Sequence, residues 1–205
     1  MTRPALFFTA DQVRAILAEA QSSHRVMLAI AAMTGLRIGE ILALKVSDFD
    51  FEQKLLTVRR SVWSGKLGTP KTSTSQAVLP LPGALVGIVR EHIATLKSEW
   101  LFLNTRGGFL TSENAVKQVL SPILDKLGLP RCGFHAFRHT HATLLLYNGA
   151  TPQEAQAQLR HADPRITIGV YSHVQAESRR AVVEKVASVL DLDGPNQQTM
   201  SQSNQ

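Results

Sequence analysis

The residues of this chain that could carry out chemistry are a set of cations followed by one tyrosine. In chain order they are Arg37, Lys71, His135, Arg138, His161 and Tyr171. Arginine binds two phosphate oxygens through its planar fork and keeps its charge at any working pH. Tyrosine becomes a useful nucleophile where a base or a cationic pocket assists it. The set therefore predicts phosphoryl transfer without a metal, in which the cations hold a phosphate and the tyrosine attacks it.

Cleavage of a phosphodiester requires several different roles, and these cations suit different ones. Two arginines suit the non-bridging oxygens, a role that metal ions fill in other enzymes. A lysine with a lowered pKa suits protonation of the leaving 5′ oxygen, and histidines can accept a proton or donate a hydrogen bond. Taken singly, each residue also has a structural explanation, such as a solvated arginine at a helix start.

A zinc site is the competing interpretation of the histidine-rich segment. Cys132, His135, His139 and His141 are close in sequence, and His135 and His139 share a helix face. No glutamate stands between them in the position of a zinc protease, and His141 points elsewhere. We therefore expect no metal and no cofactor, and a structural role for His139.

The composition favours a soluble protein with a polyanionic partner. The 205 residues include 22 Lys and Arg against 16 Asp and Glu, for a net charge of +6, and 44% are hydrophobic. The one cysteine, Cys132, cannot form an intrachain disulfide and fits a reducing compartment. No apolar run approaches the roughly 20 residues of a membrane span. A cytoplasmic protein without a membrane segment is expected.

The first third of the chain reads as three helices. Thr9 and Gln12 form a capping box that opens a helix ending near residue 21. An apolar helix follows from about His24 to Met33, and Gly35 breaks it. Arg37 opens a third helix.

A small antiparallel sheet is expected between residues 45 and 81. Leu55 to Arg60 and Ala77 to Pro80 favour strands, while Ser64-Gly65 and Gly68-Thr69-Pro70 are turn signals. Lys71 is expected on or beside the middle strand.

The remaining pattern is mainly helical. It predicts a short strand at 100–103 and a turn at 105–108. Helices are expected near 83–97, 112–127 (capped by Ser112), 134–148, 163–171 and 175–190, a further helix begins at Pro152, and a polar, disordered tail follows at 191–205. The fold class is mainly α with a small three-stranded antiparallel β-sheet (α+β), in one domain.

Four segments, taken in their order along the chain, resemble the motifs of a known protein family. They are Thr34–Glu40, Pro70–Thr72 with the following Val78–Pro82, His135–Thr143, and Leu159–His161 with Tyr171–Val174. Together they resemble the catalytic domain of tyrosine recombinases, also called phage integrases, over roughly residues 7 to 190. The resemblance implies the fold of that catalytic domain for residues 1–190. It also implies that the N-terminal core-binding domain usual in the family is absent here.

The resemblance assigns each residue a role. Tyr171 would attack the scissile phosphate and form a 3′-phosphotyrosyl link, and Arg37 and Arg138 would bind the non-bridging oxygens. Lys71 would protonate the leaving 5′ oxygen. His135 would exchange a proton with the tyrosine, and His161 would donate a hydrogen bond to the phosphate. Glu40 would orient the pocket.

Further DNA contacts are expected from Arg160, Lys66 and Arg165. Arg160 stands where the family usually has glycine. On this interpretation Arg138→Ala should leave folding intact and slow cleavage by orders of magnitude.

The implied function is site-specific recombination of double-stranded DNA by an enzyme of bacterial, phage or mobile-element origin. A tetramer on paired DNA sites, assembled through the C-terminal helix, is the expected active form. Two alternatives remain open. One is a type IB topoisomerase-like activity, and the other is a truncated integrase remnant that binds DNA without recombining it.

Overall fold

Capping signals set the ends of the first two helices. The computed structural model describes residues 7–68 and 77–159. Helix α1 spans Ala10–Glu19, and its capping box is present: the Gln12 N–H donates to Thr9 Oγ1 at 3.2 Å and the Thr9 N–H to Gln12 Oε1 at 2.9 Å. Helix α2 spans Ser22–Thr34 and ends at Gly35, whose φ is +65°. The prediction for both helices is confirmed, with small shifts at their ends.

Helix α2 is the centre of the hydrophobic core. It packs against α1, against α3 (Ile38–Leu42), against α4 (Gly83–Thr95) and against α7 (His135–Tyr147). Its middle is apolar on every side, and Leu28, Ala29 and Ile30 are fully buried. This position brings the C-terminal end of α2 close to α7.

The β-structure is divided into two small sheets. Strands β1 (Phe49–Asp50), β2 (Leu55–Val58) and β5 (Ala77–Pro80) form an antiparallel sheet in the order β1-β2-β5. Among the described residues, strands β3 (Ser61–Trp63) and β4 (Lys66–Gly68) pair with each other and with no other strand. The mainly α fold with a three-stranded sheet is confirmed, but the third strand is Phe49–Asp50, which the sequence pattern did not indicate.

The turn between β3 and β4 explains why these two strands form a hairpin. Ser64 and Gly65 both have positive φ, 48° and 74°, as a two-residue reversal requires. The reversal pairs Trp63 with Lys66 directly, so β3 and β4 satisfy each other rather than extending the main sheet.

The helix before α7 is interrupted. It begins as α5 (Ser112–Ala115), continues as a π-helical turn at Val116–Leu120 and ends as α6 (Ser121–Lys126). Pro122 lacks the N–H of a regular α-helical bond and its ring crowds the preceding turn, which accounts for the widening. The N-cap is Thr111, whose Oγ1 accepts the Asn114 N–H at 3.1 Å, and not the expected Ser112.

Residues 100–103 do not form the expected strand. Two isolated bridges, Lys45 with Trp100 and Leu103 with Phe109, replace it because each end pairs with a different neighbour. The turn at 105–108 is present. Helix α7 matches its expected position, and Gly149 after it has a φ of +91°. Helix α8 spans Pro152–Leu159 and begins at the expected residue.

The expected helices at 163–171 and 175–190 and the tail at 191–205 lie outside the described residues, as does Lys71. Of the helices in 7–68 and 77–159, none has the length and apolar character needed to cross a membrane.

Candidate active site

Arg37 stands at the N-cap of α3 and is held there by Glu40. The Arg37 backbone N–H donates to Glu40 Oε2 at 2.9 Å, and its Nη1 donates to Glu40 Oε1 at 3.2 Å. The Glu40 side chain is 9% exposed, whereas that of Arg37 is 43% exposed. One buried carboxylate therefore restrains both the backbone and the guanidinium of a residue that remains open to solvent.

Arg138 lies on α7 and is buried, with 4% of its surface exposed. Its Nη1 donates to the Gly35 carbonyl at 2.7 Å, and its Nη2 donates to the Leu159 carbonyl. Gly35 precedes Arg37 by two residues, and Leu159 precedes His161 by two residues. The buried guanidinium thus joins the ends of α2 and α8 at the two places where other predicted site residues follow.

Gly35 permits this close meeting of elements. At its φ of +65°, a Cβ would lie 2.6 Å from Leu159 Cδ2 and 3.0 Å from His141 Cδ2. An L side chain is disfavoured by the backbone conformation and has no room. Glycine at this position lets α2, α7 and α8 converge beside Arg37.

His135 occupies the first position of α7, three residues before Arg138. Partial burial lowers the pKa of His135 from its ordinary value, and the positive charges of Arg138 and Arg37 lower it further. A lowered pKa leaves the imidazole neutral near pH 7, ready to accept a proton. The effect of both guanidinium groups also places the three residues in one electrostatic environment.

His139 follows Arg138 and is half-buried. Burial lowers the pKa of His139, with further lowering by His135 and Arg138. Its Nδ1 is buried and has no hydrogen-bond partner within residues 7–68 and 77–159. In that same part of the chain no three His, Cys, Asp or Glu side chains are grouped to hold a metal ion.

His141 contributes to this region in a way that the sequence did not indicate. Its Nδ1 lies 3.1 Å from the Ala32 carbonyl, in the last turn of α2, and its ring lies against Gly35. Burial lowers the pKa of His141, while the hydrogen bond to Ala32 acts in the opposite direction and Arg138 lowers it again. Sequence reasoning considered His141 only as a metal ligand. Its position three residues after Arg138, on the same helix face, was the available signal.

The other predicted site residues fall into two groups. Lys66 is exposed on β4, in the separate hairpin. The rest lie outside the described residues, and their placement stays a prediction: Lys71, Arg160, His161, Arg165 and Tyr171.

The helical fold with its small antiparallel sheet is that of a tyrosine recombinase catalytic domain. Residues 7–178 match the model of the phage integrase family, and the chain belongs to that family. A "Tyrosine recombinase XerC-like" protein of Caldanaerobacter subterraneus subsp. tengcongensis is 30% identical over 207 residues, covering 86% of this chain and 52% of the relative. The "Integrase" of Mycobacterium phage D29 is 30% identical over 171 residues, covering 78% of this chain and 46% of the relative. The chain spans about half the length of these curated relatives.

Solved structures support the same assignment. The Tn1549 transposon integrase, in complex with circular intermediate DNA, superposes with a TM-score of 0.78 at 25% identity, over 91% of this chain and 68% of that one. The crystal structure of XerA recombinase matches with a TM-score of 0.70 at 21% identity, over 90% of this chain and 66% of that one, and shows the shared fold.

Proposed function

We propose that this chain is the catalytic part of a site-specific recombinase that cleaves and rejoins double-stranded DNA through a 3′-phosphotyrosyl intermediate. The observation that carries the proposal is the convergence of Arg37, Arg138 and His135. Arg138 donates to the carbonyl of Gly35, two residues before Arg37, and both guanidinium groups lower the pKa of His135. Such a cationic pocket suits a phosphodiester whose non-bridging oxygens gain negative charge during displacement.

The cleavage step distributes its protons among the named residues. The Tyr171 hydroxyl loses its proton to His135, and its oxygen forms a bond to phosphorus. The bond from phosphorus to the 5′ oxygen breaks, and that oxygen receives a proton from Lys71. His161 donates a hydrogen bond to the phosphate, and Glu40 keeps Arg37 in place. Rejoining is the reverse step with the 5′-hydroxyl of a partner strand, and the retained phosphoester bond removes any need for ATP.

Duplex DNA is the proposed partner. The net charge of +6 favours a polyanion, and the Tn1549 integrase of similar fold is described in complex with DNA. Lys66, Arg160 and Arg165 are proposed to contact the DNA. Residues 1–190 would form the catalytic domain and 191–205 a polar tail, with assembly into a tetramer through the C-terminal helix and a cytoplasmic location.

Trapping of a covalent adduct tests the proposal without knowledge of the recombination site. A library of nicked duplexes with a randomised central segment is incubated with the protein, and DNA that stays attached under denaturing conditions is sequenced. An enriched sequence is then rebuilt as a single suicide substrate. We expect an adduct that forms equally with a chelator present and disappears in Tyr171→Phe.

Different failures contradict different parts of the proposal. An adduct that persists in Tyr171→Phe would exclude this nucleophile, and one lost with chelator would exclude metal-free cleavage. Duplex binding without any adduct would favour a DNA-binding remnant. Relaxation of supercoiled plasmid without strand exchange between two sites would favour the topoisomerase-like alternative.

A further inference from the structure

Trp63 is the most exposed large hydrophobic residue of the described chain. Its surface is 83% exposed, although it neighbours Val62, which is 2% exposed. A large aromatic side chain normally contributes to stability by burial, so this indole adds little to the stability of the isolated domain. Its exposed surface is available for contact with a bound molecule.

The hairpin holds Trp63 at a fixed place relative to Arg37. Strand β3 packs against α3, whose N-cap is Arg37. The approach is so close that a Cβ on Gly39 would lie 2.6 Å from the Val62 carbonyl oxygen. The two-residue turn at Ser64-Gly65 also restricts the hairpin, so the backbone of Trp63 is held beside α3, the helix that follows Arg37.

Trp63 lines a groove that reaches the candidate active site. The groove encloses about 840 Å³, and Trp63 and Ile38 line it together with Val116, Phe134 and His135. Apolar surface predominates among these residues. The groove is thus continuous with the residue proposed to exchange a proton with the tyrosine.

The charges around the groove do not make it a second phosphate site. Glu113 and Lys117 carry opposite charges, and Asp125 accepts from Arg131 Nη2 at 2.7 Å. A balanced rim with apolar walls suits the uncharged parts of a nucleotide, its base and deoxyribose. Lys66 is paired with Trp63 across the hairpin. It places a positive charge beside the indole, where it can bind a phosphate of the DNA backbone.

We propose that Trp63 is a DNA-contacting residue that packs against the base or sugar of a nucleotide next to the phosphate held by Arg37. This inference rests on the proposed function, because it takes duplex DNA as the partner. Contact between an aromatic side chain and a nucleotide is tolerant of sequence, so Trp63 would position the DNA rather than select it.

Tryptophan fluorescence provides a direct test. The chain has two tryptophans, Trp63 and Trp100, and Trp100 is partly buried between Lys45 and the edge of Phe109. The variant Trp100→Phe therefore reports on Trp63, and Trp63→Phe reports on Trp100. Both are titrated with a mixed-sequence duplex of about 30 base pairs at low salt. Anisotropy of labelled duplex measures binding independently.

We expect the duplex to quench the emission of Trp100→Phe and to reduce its accessibility to acrylamide, with little change in Trp63→Phe. If Trp100→Phe does not fold, the difference between the unmodified protein and Trp63→Phe gives the same signal. Binding of the duplex with unchanged Trp63 emission and accessibility would overturn the inference while leaving the proposed function intact. If a higher protein concentration without DNA protects Trp63 from acrylamide, the inference is overturned, and Trp63 contacts a second copy of the chain instead. Absence of any duplex binding would overturn both.

Affinity gives a second measurement. Trp63→Ala should weaken duplex binding by about tenfold, because the apolar contact between the indole and the nucleotide is lost, and Trp63→Phe should weaken it less. Leu67→Ala is the matched control, because Leu67 is 44% exposed on the same hairpin but does not line the groove. Equal affinities for Trp63→Ala and Leu67→Ala would contradict the proposal.

Discussion

The two arginines proposed to bind one phosphate are held in different ways. Arg37 is partly exposed and tethered by the carboxylate of Glu40, whereas Arg138 is buried and donates to two backbone carbonyls. The sequence pattern treats the pair as equivalent. Their surroundings indicate that Arg138 also stabilises the fold, so the expectation that Arg138→Ala spares folding needs revision.

A comparison of alanine variants tests this difference. Arg138→Ala leaves the Gly35 and Leu159 carbonyls without that donor in the interior, and it should lower the free energy of unfolding by about 1–3 kcal/mol. Arg37→Ala should lower it by less than Arg138→Ala does, because the Arg37 side chain is partly solvated and the backbone N–H of residue 37 still donates to Glu40. Urea unfolding measures both, and equal effects would contradict the assignment. Both variants should cleave a suicide substrate orders of magnitude more slowly.

Buried histidines make stability depend on pH. The pKa of His141 is lowered mainly by burial, so the folded state favours the neutral ring more than the unfolded state does. The unfolded chain then binds more protons below its own pKa of about 6.5. The contribution of His141 is complete above that pH and is lost as pH falls through the folded pKa.

We expect His141→Asn to flatten this dependence. Asparagine can place an amide donor near the Nδ1 position, so the bond to the Ala32 carbonyl can persist without a titrating group. Between pH 7.5 and 5.5, the slope of unfolding free energy against pH should fall by up to about 1.4 kcal/mol per pH unit. His141→Leu should flatten the slope as well but lose stability at all pH values. Identical slopes in the unmodified protein, His141→Asn and His141→Leu would show that His141 does not contribute to the pH dependence of stability.

At the scale of elements, the site depends on the meeting of α2, α7 and α8 at Gly35. The Gly35 carbonyl receives Arg138, and the space that a Cβ would occupy is taken by Leu159 and His141. A shift of any one helix would therefore move an arginine. The positions of the two arginines proposed to bind phosphate therefore depend on helix packing rather than on any single loop.

Gly35→Ala is the corresponding prediction. It should destabilise the protein by more than about 1 kcal/mol, since it adds both a left-handed backbone cost and a close contact. Gly87→Ala is the matched control: Gly87 lies within α4, nothing lies within 4 Å of its Cβ position, and the change should stabilise by about 0.5–1 kcal/mol. Thermal unfolding followed by circular dichroism measures both, and a neutral Gly35→Ala would mean that the helices can separate at little cost.

At the scale of the whole molecule, the excess of positive charge sets how DNA affinity responds to salt. The net charge is +6, and each phosphate neutralised adds about 0.9 to the slope of log affinity against log salt. Lys66→Ala should reduce that slope by about 1 if Lys66 contacts a phosphate. Lys126→Ala, whose ammonium is paired with Glu19, should leave it unchanged. Fluorescence anisotropy at several salt concentrations would decide, and an unchanged slope in Lys66→Ala would exclude that contact.

Much of the fold was predictable because its signals are local. The capping box of Thr9 and Gln12, the helix end at Gly35 and the turn at Ser64-Gly65 each depend on residues within a few positions of one another. The errors have two causes. The two-residue strand Phe49–Asp50 is too short to show an alternating pattern, although its partner strand β2 is close in sequence. Trp100 pairs with Lys45, a partner far along the chain that the residues around Trp100 do not reveal.

The candidate site divides in the same way. The order of Arg37, Lys71, His135, Arg138, His161 and Tyr171, and with it the family, is present in the sequence itself, because residue type and spacing determine which chemistry is possible. Only the tertiary structure decided that Arg138 would be buried and that its guanidinium would donate to a carbonyl 103 residues away. It also decided that the His141 ring would contact Gly35 and bond to the Ala32 carbonyl. Those contacts arise from helices packed around α2, and packing depends on the combined shapes of residues that are distant along the chain.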